Sequence, residues 1–177
     1  MNPLFRFTLF VLLLAVAACS EEPVREPQPP TTILLVRHAE KVEDGSKNPP
    51  LAEKGSRRAA MIRELFASTD FDGLYATPFE RTINTLKPLA DTLGRTVETY
   101  DPNLDLVVLM DQLLDKHAGK SFFITGHSNT IPGMLNVLIG RNDYEDFTHD
   151  QYNDIFMVSL TEKGKASVTR LQLVVPE

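Results

Sequence analysis

The stretch TILLVRHAEK, Thr32 to Lys41, sets the frame for the whole chain. Ile33 to Val36 is an unbroken apolar run with no polar alternation, the mark of a short strand covered on both faces. The run passes directly into Arg37 and His38. A strand buried on both sides needs helices on both sides, and the sequence beyond it supplies them.

Helix and strand patterns alternate downstream of Thr32. Leu51 to Phe66 has a helical period, with Ala59, Ile62 and Phe66, and also Met61 and Leu65, on its apolar side. DGLYAT reads as a strand. Phe79 to Leu93 reads as a helix with Ile83, Leu86, Ala90 and Leu93 on one face, and Pro88 is expected to kink it. RTVETY is a strand, Leu104 to His117 a helix, and KSFFITG a second buried strand. A helix follows from about Thr130 to Ile139. DIFMVSLT and ASVTRLQLV flank EKGK as a closing hairpin. These elements predict an α/β fold, a three-layer sandwich with a mostly parallel central sheet flanked by helices.

In an open α/β sheet, ligands collect at the carboxyl ends of the strands. Arg37 and His38 end the first strand. His127, in GHSNT, ends the SFFIT strand, and Arg81, in TPFERT, lies just past DGLYAT. Three strand ends thus deliver two arginines and two histidines to one rim. Guanidinium groups match phosphate oxygens in pairs, and a helix start after His127 adds backbone donors for an anion. Two fixed cations also disfavour protonation of a nearby histidine, which leaves an imidazole nitrogen free to attack.

LLVRHAEK, LAEKG, TPFERT and TGHSNT, in that order, resemble the histidine phosphatase superfamily, the phosphoglycerate mutase-like or RHG group. The likeness runs from about Ile33 to Ile139. It implies the sandwich fold above, a phosphatase needing no metal or other cofactor, and His38 as the nucleophile that becomes phosphohistidine. Arg37, Arg81 and His127 would complete the phosphate pocket. Ala39 stands where the signature usually has Gly, and Ala is less free at positive φ. The proton donor is assigned to Asp101 in TYDPN, at the next strand end, with Asp105 and Glu40 as alternatives. Asp101 followed by Pro102 is also how a helix begins, with Asp101 as N-cap. The expected reaction is two-step hydrolysis of a small phosphomonoester. A non-catalytic phospho-ligand module on the same fold and a phosphomutase are the alternatives. A metal hydrolase built on His38, His127 and Asp101 is disfavoured, because adjacent guanidiniums repel a cation.

The 177 residues, 42% of them hydrophobic, suffice for one domain with a core. The net charge of −6 argues against a nucleic-acid partner. The first 18 residues carry Arg6 and then an apolar run too short to span a bilayer. They read as a signal peptide, and Val16-Ala17-Ala18-Cys19 resembles a bacterial lipobox. That resemblance implies lipidation of Cys19 and a membrane anchor. The protein is then expected in the cell envelope, on the outer membrane facing the periplasm. Residues 19–31 are a proline-rich linker, and 32–177 form the phosphatase domain. Cys19 is the only cysteine, so no disulfide is expected. The loops Val42–Pro50 and Arg141–Asp154, the second strongly acidic, are the expected specificity elements.

Overall fold

The computed structural model describes residues 29–176. Cys19, the leader and most of the linker lie outside the described residues. The opening stretch forms strand β1 (Thr31–Arg37), and its apolar residues are covered on both faces. Ile33 and Leu35 point into one core; Leu34 and Val36 point into the other. This follows from the two-residue period of a strand, which sends successive side chains to opposite faces.

The remaining elements are α1 (Glu53–Phe66), β2 (Gly73–Ala76), α2 (Glu80–Leu93), β3 (Glu98–Thr99), α3 (Leu106–Lys116), β4 (Ser121–Gly126), α4 (Thr130–Ile139), β5 (Asp154–Leu160) and β6 (Ser167–Gln172). They make one six-stranded sheet in the order β3-β2-β4-β1-β5-β6. Pairs β1/β4, β2/β4 and β2/β3 are parallel; β5 runs antiparallel to β1, and β6 antiparallel to β5. Ile62 of α1 and Leu86, Leu89 and Ala90 of α2 pack on one face with Phe71 and Phe123. Leu109, Met110 and Leu113 of α3 and Ile131, Met134, Leu135 and Leu138 of α4 pack on the other with Phe122 and Ile124. The three-layer α/β sandwich read from the sequence is the observed fold.

Several local expectations change. Helix α2 includes Pro88 without a break in its span, and the Pro88 carbonyl accepts from Thr92 Oγ1. RTVETY shortens to two exposed edge residues, because its only partner, β2, is itself four residues long. Leu65 is exposed rather than part of the α1 face. The N-cap of α3 is Asp105, not Asp101: its carboxylate accepts from the backbone N–H groups of Val107 and Val108.

One glycine of LAEKG has a positional reason. Gly55, in the first turn of α1, lies against the Glu40 backbone, and an added Cβ would land on the Glu40 carbonyl oxygen. That carbonyl also accepts the Ala52 N–H at 2.8 Å, so it cannot move freely. Gly55→Ala should therefore destabilise the fold by at least about 2 kcal/mol through overpacking. A urea midpoint unchanged from wild type would contradict this.

Candidate active site

Strands β1, β2 and β4 end side by side, which brings their carboxyl-terminal residues together. The His38 N–H donates to the Gly126 carbonyl at 2.9 Å, tying the end of β1 to the end of β4. Thr85 of α2 ties the third element in: its hydroxyl accepts from Ala39 N–H and donates to the Arg81 carbonyl. Ala39 is fully buried, and no non-glycine residue among those described has positive φ, so alanine here carries no backbone strain.

The four residues singled out by sequence converge. The His38 and His127 rings lie 5.5 Å apart, edge to face. Arg37 and Arg81 both act on each ring electrostatically. His38 Nδ1 lies 2.8 Å from the Ala39 carbonyl. A carbonyl only accepts, so Nδ1 carries the proton and the lone pair sits on Nε2. His127 Nε2 is held 2.9 Å from Thr77 Oγ1, just past the end of β2. Burial, above all, and then the two guanidiniums push His38 down to about 3 and His127 down to about 4. For His38, the Ala39 hydrogen bond opposes this drop without reversing it. Both rings are therefore neutral at physiological pH.

Arg37 is held in a collar. Its Nη1 points at the carbonyls of Thr148, His149 and Gln151, at 2.8, 3.2 and 3.1 Å. Its Nη2 donates to the Tyr152 hydroxyl at 3.4 Å, and the Tyr152 ring lies 4.1 Å from the guanidinium carbon. Arg81 rests over the Phe79 ring at 4.5 Å. Arg37 Nε and Arg81 Nε are buried and have no partner among the described residues. Two unpaired buried guanidinium donors beside a neutral imidazole make a pocket suited to an oxyanion. A groove of about 640 Å³ between α1 and α2 contains none of these four residues.

The candidate acids are placed differently. Asp101 is exposed, and its carboxylate accepts from the backbone and side chain of Asn103; no hydrogen bond carries it to the cluster. Asp105 is committed to capping α3. Glu40 grips Arg58 through both oxygens, at 2.9 and 2.7 Å. Burial would raise the Glu40 carboxyl, but the Arg58 hydrogen bonds outweigh it and hold the group below its ordinary range. His117 is buried between Tyr75 and Asp72, and His149 is an exposed loop residue near Glu43.

Thr77, Phe79 and Tyr152 belong to the cluster but were not read from the sequence. No local sequence signal marks Tyr152; sheet pairing places it. Strand β5 is antiparallel to β1, with Val36 opposite Ile155. The start of β5, just after Tyr152, therefore lies at the same rim as the end of β1.

A family model described as histidine phosphatase superfamily (branch 1) matches residues 33–105. The matched segment contains Arg37, His38 and Arg81; His127 lies beyond it. Curated proteins give no match. Solved structures do. One is the protein histidine phosphatase SixA complexed with tungstate, at 16% identity and a TM-score of 0.63, covering 80% of this chain and 96% of that one. Another is a mutant phosphoserine phosphatase from Entamoeba histolytica in complex with phosphoserine, at 14% identity and 0.64, covering 78% and 95%. A third is a mycobacterial glucosyl-3-phosphoglycerate phosphatase, at 10% and 0.67, covering 82% and 100%. At such identities the likeness is one of fold.

Proposed function

We propose that this chain is a metal-independent phosphomonoesterase that works through phosphohistidine on His38. The observation that carries the reading is the pair of buried, unpartnered Nε donors on Arg37 and Arg81, set around a histidine whose Nδ1–H is already engaged. A phosphoryl group in the pocket would satisfy both donors. His38 Nε2 then attacks phosphorus in line, and the arginines and His127 hold the equatorial oxygens as charge builds. No metal is called for, because two guanidiniums already supply the positive charge. Solved neighbours described as a protein histidine phosphatase and a phosphoserine phosphatase support phosphorylated groups as the substrate class. The lipobox-like segment ending at Cys19 supports a lipid anchor, with the domain held in the cell envelope on a proline-rich tether.

One fractionation and trapping experiment tests the reading. Membranes carrying the chain should hydrolyse p-nitrophenyl phosphate in the presence of EDTA. A quench in alkaline detergent should trap a phosphoenzyme that survives base and is lost on acid treatment. Cys19→Ser should move the activity to the soluble fraction. Tungstate binding without turnover would leave a phosphate-binding module, and activity that stays in the membrane would remove the anchor.

A further inference from the structure

The reaction proposed above leaves an oxygen that must take up a proton, and the carboxylates around the site are poorly placed to give one. Asp150, Glu40 and Glu43 act electrostatically on Arg37. Thr148 holds Asp150 ionised, Arg58 holds Glu40 against the opposing effect of burial, and Lys41 holds Glu43. Asp101 spends its carboxylate on Asn103.

Tyr152 is placed differently. Its ring covers Arg37 and stands 6.1 Å from the His38 ring, centroid to centroid. Its hydroxyl accepts from Arg37 Nη2 and donates to no described residue. The phenol is thus set directly against the Arg37 guanidinium. Its position is also built rather than incidental. The residues before it wrap Arg37 with three carbonyls. Gln151 is bonded to the buried Asp154 at 2.6 Å, and Arg170 holds Asp154 with two further bonds of 2.8 Å. Stacking on Arg37 accounts for the ring but not for the hydroxyl, since phenylalanine would stack as well.

We propose that Tyr152 is the proton donor to the leaving oxygen and then the base for the hydrolytic water, an assignment that rests on the phosphatase reading. As His38 Nε2 bonds to phosphorus, the phosphorus–oxygen ester bond breaks and its electron pair goes to the leaving oxygen. That oxygen takes the Tyr152 proton. The phenolate left behind is stabilised by the Arg37 guanidinium that already donates to it. In the second step the phenolate takes a proton from water and the water oxygen bonds to phosphorus. The phosphorus–nitrogen bond breaks, returning its pair to Nε2. The net change is ester and water to alcohol and orthophosphate, with both residues restored.

The test is a leaving-group series on the full chain in detergent, comparing wild type, Tyr152→Phe and Asp101→Asn. Tyr152→Phe should lower kcat/KM for an alkyl ester such as phosphoserine by about 10²- to 10³-fold, the usual range for a lost general acid. With p-nitrophenyl phosphate, whose leaving group needs no proton, the loss should stay within about threefold. Asp101→Asn should follow wild type across the series. A loss in Tyr152→Phe that is equal for all esters would reduce Tyr152 to a prop for Arg37, and a loss for none would remove it altogether. A leaving-group-dependent loss in Asp101→Asn would return the role to that residue. A folded wild type inert to every ester would instead overturn the phosphatase reading itself. Fluorotyrosine at position 152 gives a second measurement without change of shape. The alkaline limb for the alkyl ester should move to lower pH, and an unmoved limb would contradict the assignment.

Discussion

His38→Ala should abolish turnover, lowering kcat for p-nitrophenyl phosphate by at least about 10⁴-fold, as loss of a covalent nucleophile does. The size follows from the geometry. His38 is the ring whose Nδ1 is fixed by the Ala39 carbonyl and whose Nε2 is left with a lone pair. His127 is not equivalent, because its Nε2 faces Thr77. The arginine pocket survives the substitution, so the variant should still bind tungstate. Isothermal titration together with the activity assay separates the two properties. Residual turnover above a hundredth of wild type would move the nucleophile elsewhere.

The second large effect is acid lability. His38 is 4% exposed and neutral in the folded protein, with its ring pushed down to about 3; His127 is pushed down to about 4. In the unfolded chain both titrate near 6.5. Between pH 6.5 and about 4 the unfolded state therefore holds protons that the folded state does not, and stability falls as pH falls. Each ring costs up to about 1.4 kcal/mol per pH unit across that window. Urea unfolding should show a loss of about 2 kcal/mol between pH 7 and pH 5.5, above the range where ordinary carboxylates take up protons. His38→Gln should remove its share, giving a shallower slope. A variant with the same slope as wild type would mean that His38 is not the neutral buried group described here. Added tungstate should protect the wild type, because an oxyanion on the two arginines stabilises only the folded form.

Much of this was legible in the chain itself, for a definite reason. The sandwich follows from β1, whose four apolar residues have no polar face to give to water, and from helices whose apolar sides must cover it. Arg37, His38, Arg81 and His127 could be named because each ends or follows a strand, and parallel strands in one sheet end at one edge. Short-range signals also erred where two readings used the same residues. Asp101-Pro102 carries the composition of a helix start, yet Asp105 makes the cap, because residues 100–105 form a loop between the end of β3 and the start of α3.

Tertiary structure alone decided the rest. Arg37 reads as a free phosphate fork in sequence, but its Nη1 is taken by carbonyls more than a hundred residues away. Glu40 reads as a candidate acid, but the buried Arg58 of α1 keeps it ionised. Tyr152 has no local pattern to mark it within an acidic loop; only the antiparallel pairing of β5 with β1 brings it to the rim. Periodicity and strand order are properties of neighbours along the chain, and the sequence states them directly. Which polar atom is already satisfied is a property of neighbours in space. That accounting determined which donors remain for an oxyanion and which group is left with a proton to give.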